Sequence, residues 1–379
     1  MSNLVNSNDE FVKKFGNWDY YFEQVKTNPD ITEPDKAEIL KGFQALREIM
    51  GDAWFEETAR SHYPIFHRLA NLVSYSQLSV ARVGLRLQAL KSAKNFNKLR
   101  RRMMSRDTYS ASEAELEVAS YFAKAGFSIE FYPAVGSKEA DLLLIRDNME
   151  YYVEVTVIGD SVEERRAFET LEGIHWPYFA EDIIMHGRVL KILSTPHLEE
   201  LKKRIANVVE EVKNTHEGRE VVDPGVVQLF ICPRDNTDAL KVWQKRKGIS
   251  GLEGPRIEVN EISRIRHRLD AENSQLPEDK PGLIIVYGRS LREQFFEPNF
   301  YEKLASQLEE TVYGHRNLIL GAIVTYGSDL LTHPLKEGRN YILRHRQYGS
   351  RIGDDVLIIK NRFSKFAVDE DIIQALLND

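Results

Sequence analysis

From residue 9 to residue 105, apolar residues recur at helical spacing, and nowhere at the alternating spacing of a strand. Phe11, Trp18, Tyr21, Phe22 and Val25 give a first amphipathic pattern, of which Phe11 lies outside the residues described below. Thr32-Glu33-Pro34 opens a second helix with proline in its first turn, continuing through Ile39, Phe43, Leu46 and Ile49. Residues 80–90 and 95–104 predict two more. Between residues 112 and 158 the pattern changes. Ala114, Val118, Tyr121, Phe122 and Ala125 share one face of a helix that stops at Gly126. At about 100° per residue, Glu115 falls beside Phe122 on that apolar face, while Glu113, Glu117 and Lys124 fall opposite, on a polar face.

Residues 140–145 and 151–158 are rich in β-formers. With Asp147-Asn148 as a two-residue turn, Arg146 pairs with Met149 and, counting outward, Asp141 pairs with Glu154. Alternation adds Thr156 to their face. The other face carries Ala140, Leu142, Leu144, Val153, Val155 and Val157, so the hairpin is expected to be covered on both sides. Two like charges opposed in a covered sheet destabilise it unless something compensates. A divalent cation with oxygen ligands is the natural candidate.

Farther on, the pattern predicts a helix ending near Gly173, a strand at 188–193, a helix at 198–213 and a strand at 226–231. Beyond residue 233 a polar, basic connection leads to strands at 283–287, 319–325, 341–343 and 356–359. A helix at 300–312 lies between two of them, and another, at 369–377, closes the chain. That order implies either a parallel extension of the sheet or a small separate α/β unit.

Composition excludes more than it assigns. The only cysteine, Cys232, rules out an internal disulfide and suits a reducing, cytoplasmic setting. The first ten residues lack the basic-then-apolar form of a secretory signal, and the longest apolar stretch, 318–326, is too short to span a membrane. Zinc-type Cys/His spacings, a GxxxxGK[ST] phosphate loop and a GxSxG elbow are absent. The net charge of −7 argues against nucleic acid until its distribution is considered. Between Thr58 and Arg106 there is no Asp or Glu, but Arg60, Arg68, Arg82, Arg86, Lys91, Lys94, Lys98, Arg100, Arg101, Arg102 and Arg106. Such a segment either binds a polyanion or docks on the chain's own acidic surface. Arg82, Arg86, Lys98, Arg100, Arg101 and Arg102 are the candidate nucleic-acid contacts.

A helix Glu115, then Asp141, then Glu154-x-Thr156 on the next strand resembles the PD-(D/E)XK nuclease superfamily, in its restriction-endonuclease-like and Holliday-junction-resolvase-like forms. The resemblance covers residues 109–232. It implies an α/β, restriction-endonuclease-like core of helix, three-stranded hairpin sheet, helix and strand. An all-helical, basic region (1–108) would precede that core, and an α/β extension (233–379) would follow it. It also implies a metal-dependent nuclease acting on DNA or, as the second choice, RNA, with Mg²⁺ or Mn²⁺ held by Asp141, Glu154 and Glu115. Two positions depart from the motif. Ala140 replaces its proline, and Thr156 replaces its lysine, leaving no charge there to orient water or steady the phosphate. The lysine's work falls to Lys138, Lys202 or Lys203, or a hydroxyl suffices beside two metals. Otherwise catalysis is lost and a nuclease-like binding or scaffold module is left. Nothing in the sequence distinguishes a monomer from a homodimer.

Overall fold

A computed structural model of the chain describes residues 12–61, 63–159, 162–178, 181–255, 260–288, 300–327, 336–338, 341–348 and 352–378. They form two compact units: the described residues up to Gly159 with those from Glu261 onward, and residues 160–260. The continuous division at 108 and 232 expected from the sequence does not coincide with this one, because the chain leaves the first unit after residue 159 and returns to it.

The first unit begins, as expected, with helices alone: α1 (Trp18–Thr27), α2 (Glu33–Met50), α3 (Asp52–Arg60), α4 (Pro64–Ala70), α5 (Ser74–Leu90) and α6 (Phe96–Met103). Thr32 caps α2 by accepting from the Asp35 N–H, with Pro34 in the first turn. Helices α2 and α5 cross with their backbones touching. A Cβ on Gly42 would overlap the Ala81 carbonyl, and one on Gly84 would overlap the Gly42 carbonyl.

Next come α7 (Arg106–Lys124), β1 (Ser128–Phe131), the short pair β2 (Ala134–Val135) and β3 (Lys138–Glu139), then β4 (Leu142–Arg146) and β5 (Met149–Ile158). The β4–β5 turn lies at Asp147-Asn148, whose φ angles of 51° and 65° suit a hairpin turn. Arg146 is opposite Met149 and Leu142 opposite Val153, the register read from the sequence.

The second unit holds α8 (Val162–His175), β6 (Ile183–Val189), α9 (Thr195–Thr215), β7 (Arg219–Asp223), β8 (Val227–Pro233), α10 (Asp238–Lys247) and β9 (Leu252–Glu253). Its strands run in the order β7-β8-β6-β9. Leu201, Ile205 and Val209 of α9 pack with Leu229 and Ile231, and Leu240 and Trp243 of α10 with Phe230 and Cys232. This corrects the sequence reading. The helix at 198–213 and the strand at 226–231 belong to this separate sheet, since β8 pairs with β6 and β7 and not with β5.

The strand beside β5 is instead β10 (Gly282–Gly288), reached through α11 (Glu261–Asn273). It runs parallel, with Glu154 opposite Ile284 and Thr156 opposite Val286. A parallel neighbour needs a long crossover, and this stretch of chain supplies it. After α12 (Phe300–Gly314), β11 (Leu318–Gly327) adds a second parallel pairing, and β12 (Lys336–Glu337), β13 (Tyr341–Tyr348) and β14 (Ile352–Lys360) complete the sheet before α13 (Glu370–Leu377). The order β1-β4-β5-β10-β11-β14-β13-β12 makes a mixed sheet in an α/β unit. Of the two arrangements open for the C-terminal part, the parallel extension is the one found. Val153, Val155, Leu283 and Ile285 face the core beneath α7 and the N-terminal helices. Ile158, Ile284 and Val286 face the core beneath α11 and α12. Each such side chain contributes about 1.5–3 kcal/mol when fully buried. Among the described residues no helix is long and apolar enough to cross a membrane.

Candidate active site

Continuing the β4–β5 register one step places Asp141 opposite Glu154. Asp141 is pinned on two sides. Its carbonyl accepts from the Tyr132 N–H at 2.9 Å, and its carboxylate accepts from the Val155 N–H at 2.8 Å. Glu154 is 2% exposed and its carboxyl hydrogen-bonds to that of Asp141. Its Oε1 is buried with no hydrogen-bond partner. Burial first, then the Asp141 charge and that hydrogen bond, push Glu154 up to about 10. Burial also raises Asp141, against the pull of the Val155 N–H and of Glu154. The two carboxyls therefore share a proton rather than both ionising.

Glu115 arrives from α7, 1% exposed. It accepts from the Tyr132 hydroxyl and, at 3.2 Å, from Arg102 Nη2. Burial and the Asp141 charge push it up to about 7, against the lowering by Tyr132 and Arg102. Tyr132 adopts φ 52°, uncommon for a bulky residue. Its N–H on Asp141 and its hydroxyl on Glu115 hold it there.

The rest of α7 differs from the sequence reading. Glu113 and Glu117 do not line a solvated face. Both are buried, Glu113 beside Arg68 and Glu117 3.0 Å from Arg86, because α4 and α5 lie against that side of the helix. Burial alone thus does not distinguish Glu115 from its neighbours. Its interaction with Asp141 does.

Sequence reasoning missed Glu272, on α11. It is 9% exposed, and its charge raises both Asp141 and Glu154. Gln275 donates to it, and Arg268 lies 3.7 Å away. The signal was available, since Ile265, Leu269 and Glu272 share one helical phase, making Glu272 the polar residue on an apolar stripe.

Thr156 is buried at 8% exposure, on the same strand face as Glu154. Lys138 Nζ donates to the Ser274 carbonyl at 2.8 Å. Lys202, paired with Glu199, and Lys203 lie on α9 of the second unit, and not on a second core helix. Arg102 donates to Glu115 and acts on Asp141.

Several of the candidate nucleic-acid contacts have partners within the protein. Arg82 lies 3.6 Å from Glu38, Arg86 pairs with Glu117 and Lys98 with Glu139. Arg100 donates to the Ile49 carbonyl at 3.1 Å, and Arg102 to Glu115. Arg101 is exposed and donates only weakly, at 3.4 Å, to the Asn97 carbonyl of its own helix. Docking on acidic neighbours accounts for much of the basic segment.

Among the described residues, no group of three or more His, Cys, Asp and Glu side chains is gathered closely enough to hold a metal ion. The donor chemistry nevertheless suits one. Carboxylate oxygens are the ligands of hard divalent cations, and a buried Oε1 without a donor beside a second carboxyl is the kind of atom such a cation satisfies. No family model, curated protein or solved structure matches the chain.

Proposed function

We propose that the chain is a metal-dependent phosphodiesterase of the PD-(D/E)XK type, cleaving DNA or, as the second choice, RNA in a reducing, cytoplasmic setting. The observation that carries this reading is the buried Asp141–Glu154 pair with its orphaned Glu154 Oε1. Element order supports it: α7, β1, β4, β5, α11 and β10 follow the helix, three strands, helix, strand sequence of the superfamily core, with residues 160–260 inserted.

In this reading Asp141 and Glu154 would hold Mg²⁺ or Mn²⁺, with Glu115 adjoining. The cation, when bound, supplies charge neutralisation and polarises the phosphate oxygen. The chain's own residues do the rest. Val155 N–H and Tyr132 N–H fix Asp141 in place. Glu115, raised toward neutrality by burial, would be the group to draw a proton from the attacking water. Burial of the carboxylates keeps bulk water from screening their charge.

Thr156 in the lysine position favours a second reading, a nuclease-like module that binds without cutting. A titration of Mg²⁺ or Mn²⁺ against labelled single- and double-stranded DNA separates the two. The first reading predicts metal-dependent cleavage, the second binding without cleavage, and neither binding nor cleavage contradicts both.

Exposed Arg101 is the basic residue best placed to grip a phosphate backbone. Arg101→Ala is expected to weaken binding of any DNA sequence alike and to reduce the slope of log affinity against log salt by about 0.9. Filter binding over a salt series reads both, and an unchanged slope removes Arg101 from the interface.

A further inference from the structure

We propose that Arg102 is the phosphate-binding group of this site, its guanidinium taking the scissile phosphate of the DNA backbone where Thr156 offers no charge. The inference rests on the phosphodiesterase reading and adds to it the group that meets the substrate's charge.

Helix α6 holds Arg102 in a fixed place. At its N-terminal end Asn95 adopts φ 63° and donates through Nδ2 to the Phe131 carbonyl at 2.9 Å. Phe131 N–H returns a bond to the Lys94 carbonyl at 3.1 Å, and Lys94 pairs with Glu130 at 2.9 Å. The helix is thus tied along β1, the strand that leads into Tyr132. Lys98 and Arg102, one helical turn apart, both lie over the Tyr132 ring, at 5.0 and 4.8 Å from its centre.

The guanidinium is oriented but not saturated. Among the described residues its one hydrogen bond is Nη2 to Glu115. Its Nε is buried without a partner, and the side chain is 37% exposed, so it is neither sealed in nor free in solvent. A guanidinium has five N–H donors in a planar fork matched to two oxygens of a phosphate. The Tyr132 ring and the bond to Glu115 hold the guanidinium while leaving donors unused.

Charge supplies the need. Asp141, Glu272 and Glu115 all act on Glu154, and Arg102 acts on both Glu115 and Asp141, so a phosphodiester approaching these carboxylates needs a positive partner. Arg268 lies 3.7 Å from Glu272 on the same helix, and four other cations are engaged away from these carboxylates. Lys98 holds Glu139, Lys138 holds the Ser274 carbonyl, and Arg68 and Arg86 hold Glu113 and Glu117. If Arg102 served only to neutralise Glu115, its replacement would raise Glu115 further and the lost rate would return as pH rises, and such a recovery in Arg102→Gln overturns the proposal.

The test is single-turnover cleavage at saturating DNA in Mg²⁺, alongside thermal melts with and without Mg²⁺. Arg102→Gln is expected to slow cleavage on the order of 10²–10³-fold, the usual loss on removing one donor to a developing anion, while keeping the Mg²⁺-induced rise in melting temperature. Arg102→Lys keeps charge and packing but loses the fork, so it is expected to retain part of the rate and still fall about tenfold or more below wild type. Wild-type rates in both variants overturn the proposal. So does loss of cleavage together with loss of the Mg²⁺ response in Arg102→Gln, which would make Arg102 a prop for Glu115. Should Arg102→Gln fail to fold, Arg102→Lys decides alone by its rate. A folded wild type that never cleaves DNA defeats the phosphodiesterase reading itself, before any arginine is replaced.

Discussion

Asp141→Asn is expected to lower metal-dependent cleavage on the order of 10³-fold or more, while the metal-free protein melts at the wild-type temperature or above it. The two halves have one cause. Asp141 and Glu154 are opposed in a covered sheet, and burial first, then the Asp141 charge, keeps the proton on Glu154 up to about pH 10 without a cation. An amide at position 141 keeps the shape and removes that charge. If the two residues were a structural pair instead, breaking it would cost about 3–5 kcal/mol.

The pH dependence carries the same sign. In the unfolded chain Glu154 loses its proton near its ordinary value of 4.5, and in the fold only near 10. Its contribution is therefore fully present below the unfolded value and is lost as pH rises through that window, since the unfolded state then binds fewer protons. Asp141→Asn should flatten this decline. Melting temperatures of metal-free wild type and variant between about pH 5 and pH 9 read the difference, and parallel pH curves would contradict it.

The second large effect concerns a helix crossing. Gly84→Ala is expected to cost about 3 kcal/mol or more, at the upper end of what overpacking does. The added Cβ would overlap the Gly42 carbonyl of α2, a backbone atom that cannot rotate aside. Helices α2 and α5 would have to separate, opening contacts around Phe43, Leu46, Val80 and Val83, all buried. Gly314→Ala is the matched control, with open space around its Cβ and no positive φ, and its change is expected within about 0.5 kcal/mol. Urea unfolding midpoints of the two variants compare them directly. Equal midpoints would mean the helix crossing yields.

What could be read from the sequence was local. The Asp147-Asn148 turn set the β4–β5 register because both residues tolerate positive φ, and two-residue hairpins fix pairing within a few residues. The opposition of Asp141 and Glu154 and the inward phase of Glu115 followed by counting. What escaped depended on contacts distant in sequence. Glu113 and Glu117 looked solvated because nothing in α7 itself announces that Arg68 and Arg86 lie across them, more than thirty positions earlier for Arg86 and Glu117. The strand at 226–231 has the composition of a core strand, and only pairing shows that β10 occupies the place beside β5. A crossover containing a second folded unit leaves no periodic mark of its own. Glu272 was legible in principle, by the phase argument that found Glu115, but the helix carrying it follows a polar stretch that read as a connection.

The most direct test of the account is a thermal melt of wild type and Asp141→Asn, each with and without Mg²⁺. A site that binds the cation only in the folded state stabilises it by about 2.7 kcal/mol at one hundred times the dissociation constant. The account predicts a rise in melting temperature for wild type and none for Asp141→Asn. An equal response in both proteins, or none in either, would contradict a metal site at Asp141 and Glu154.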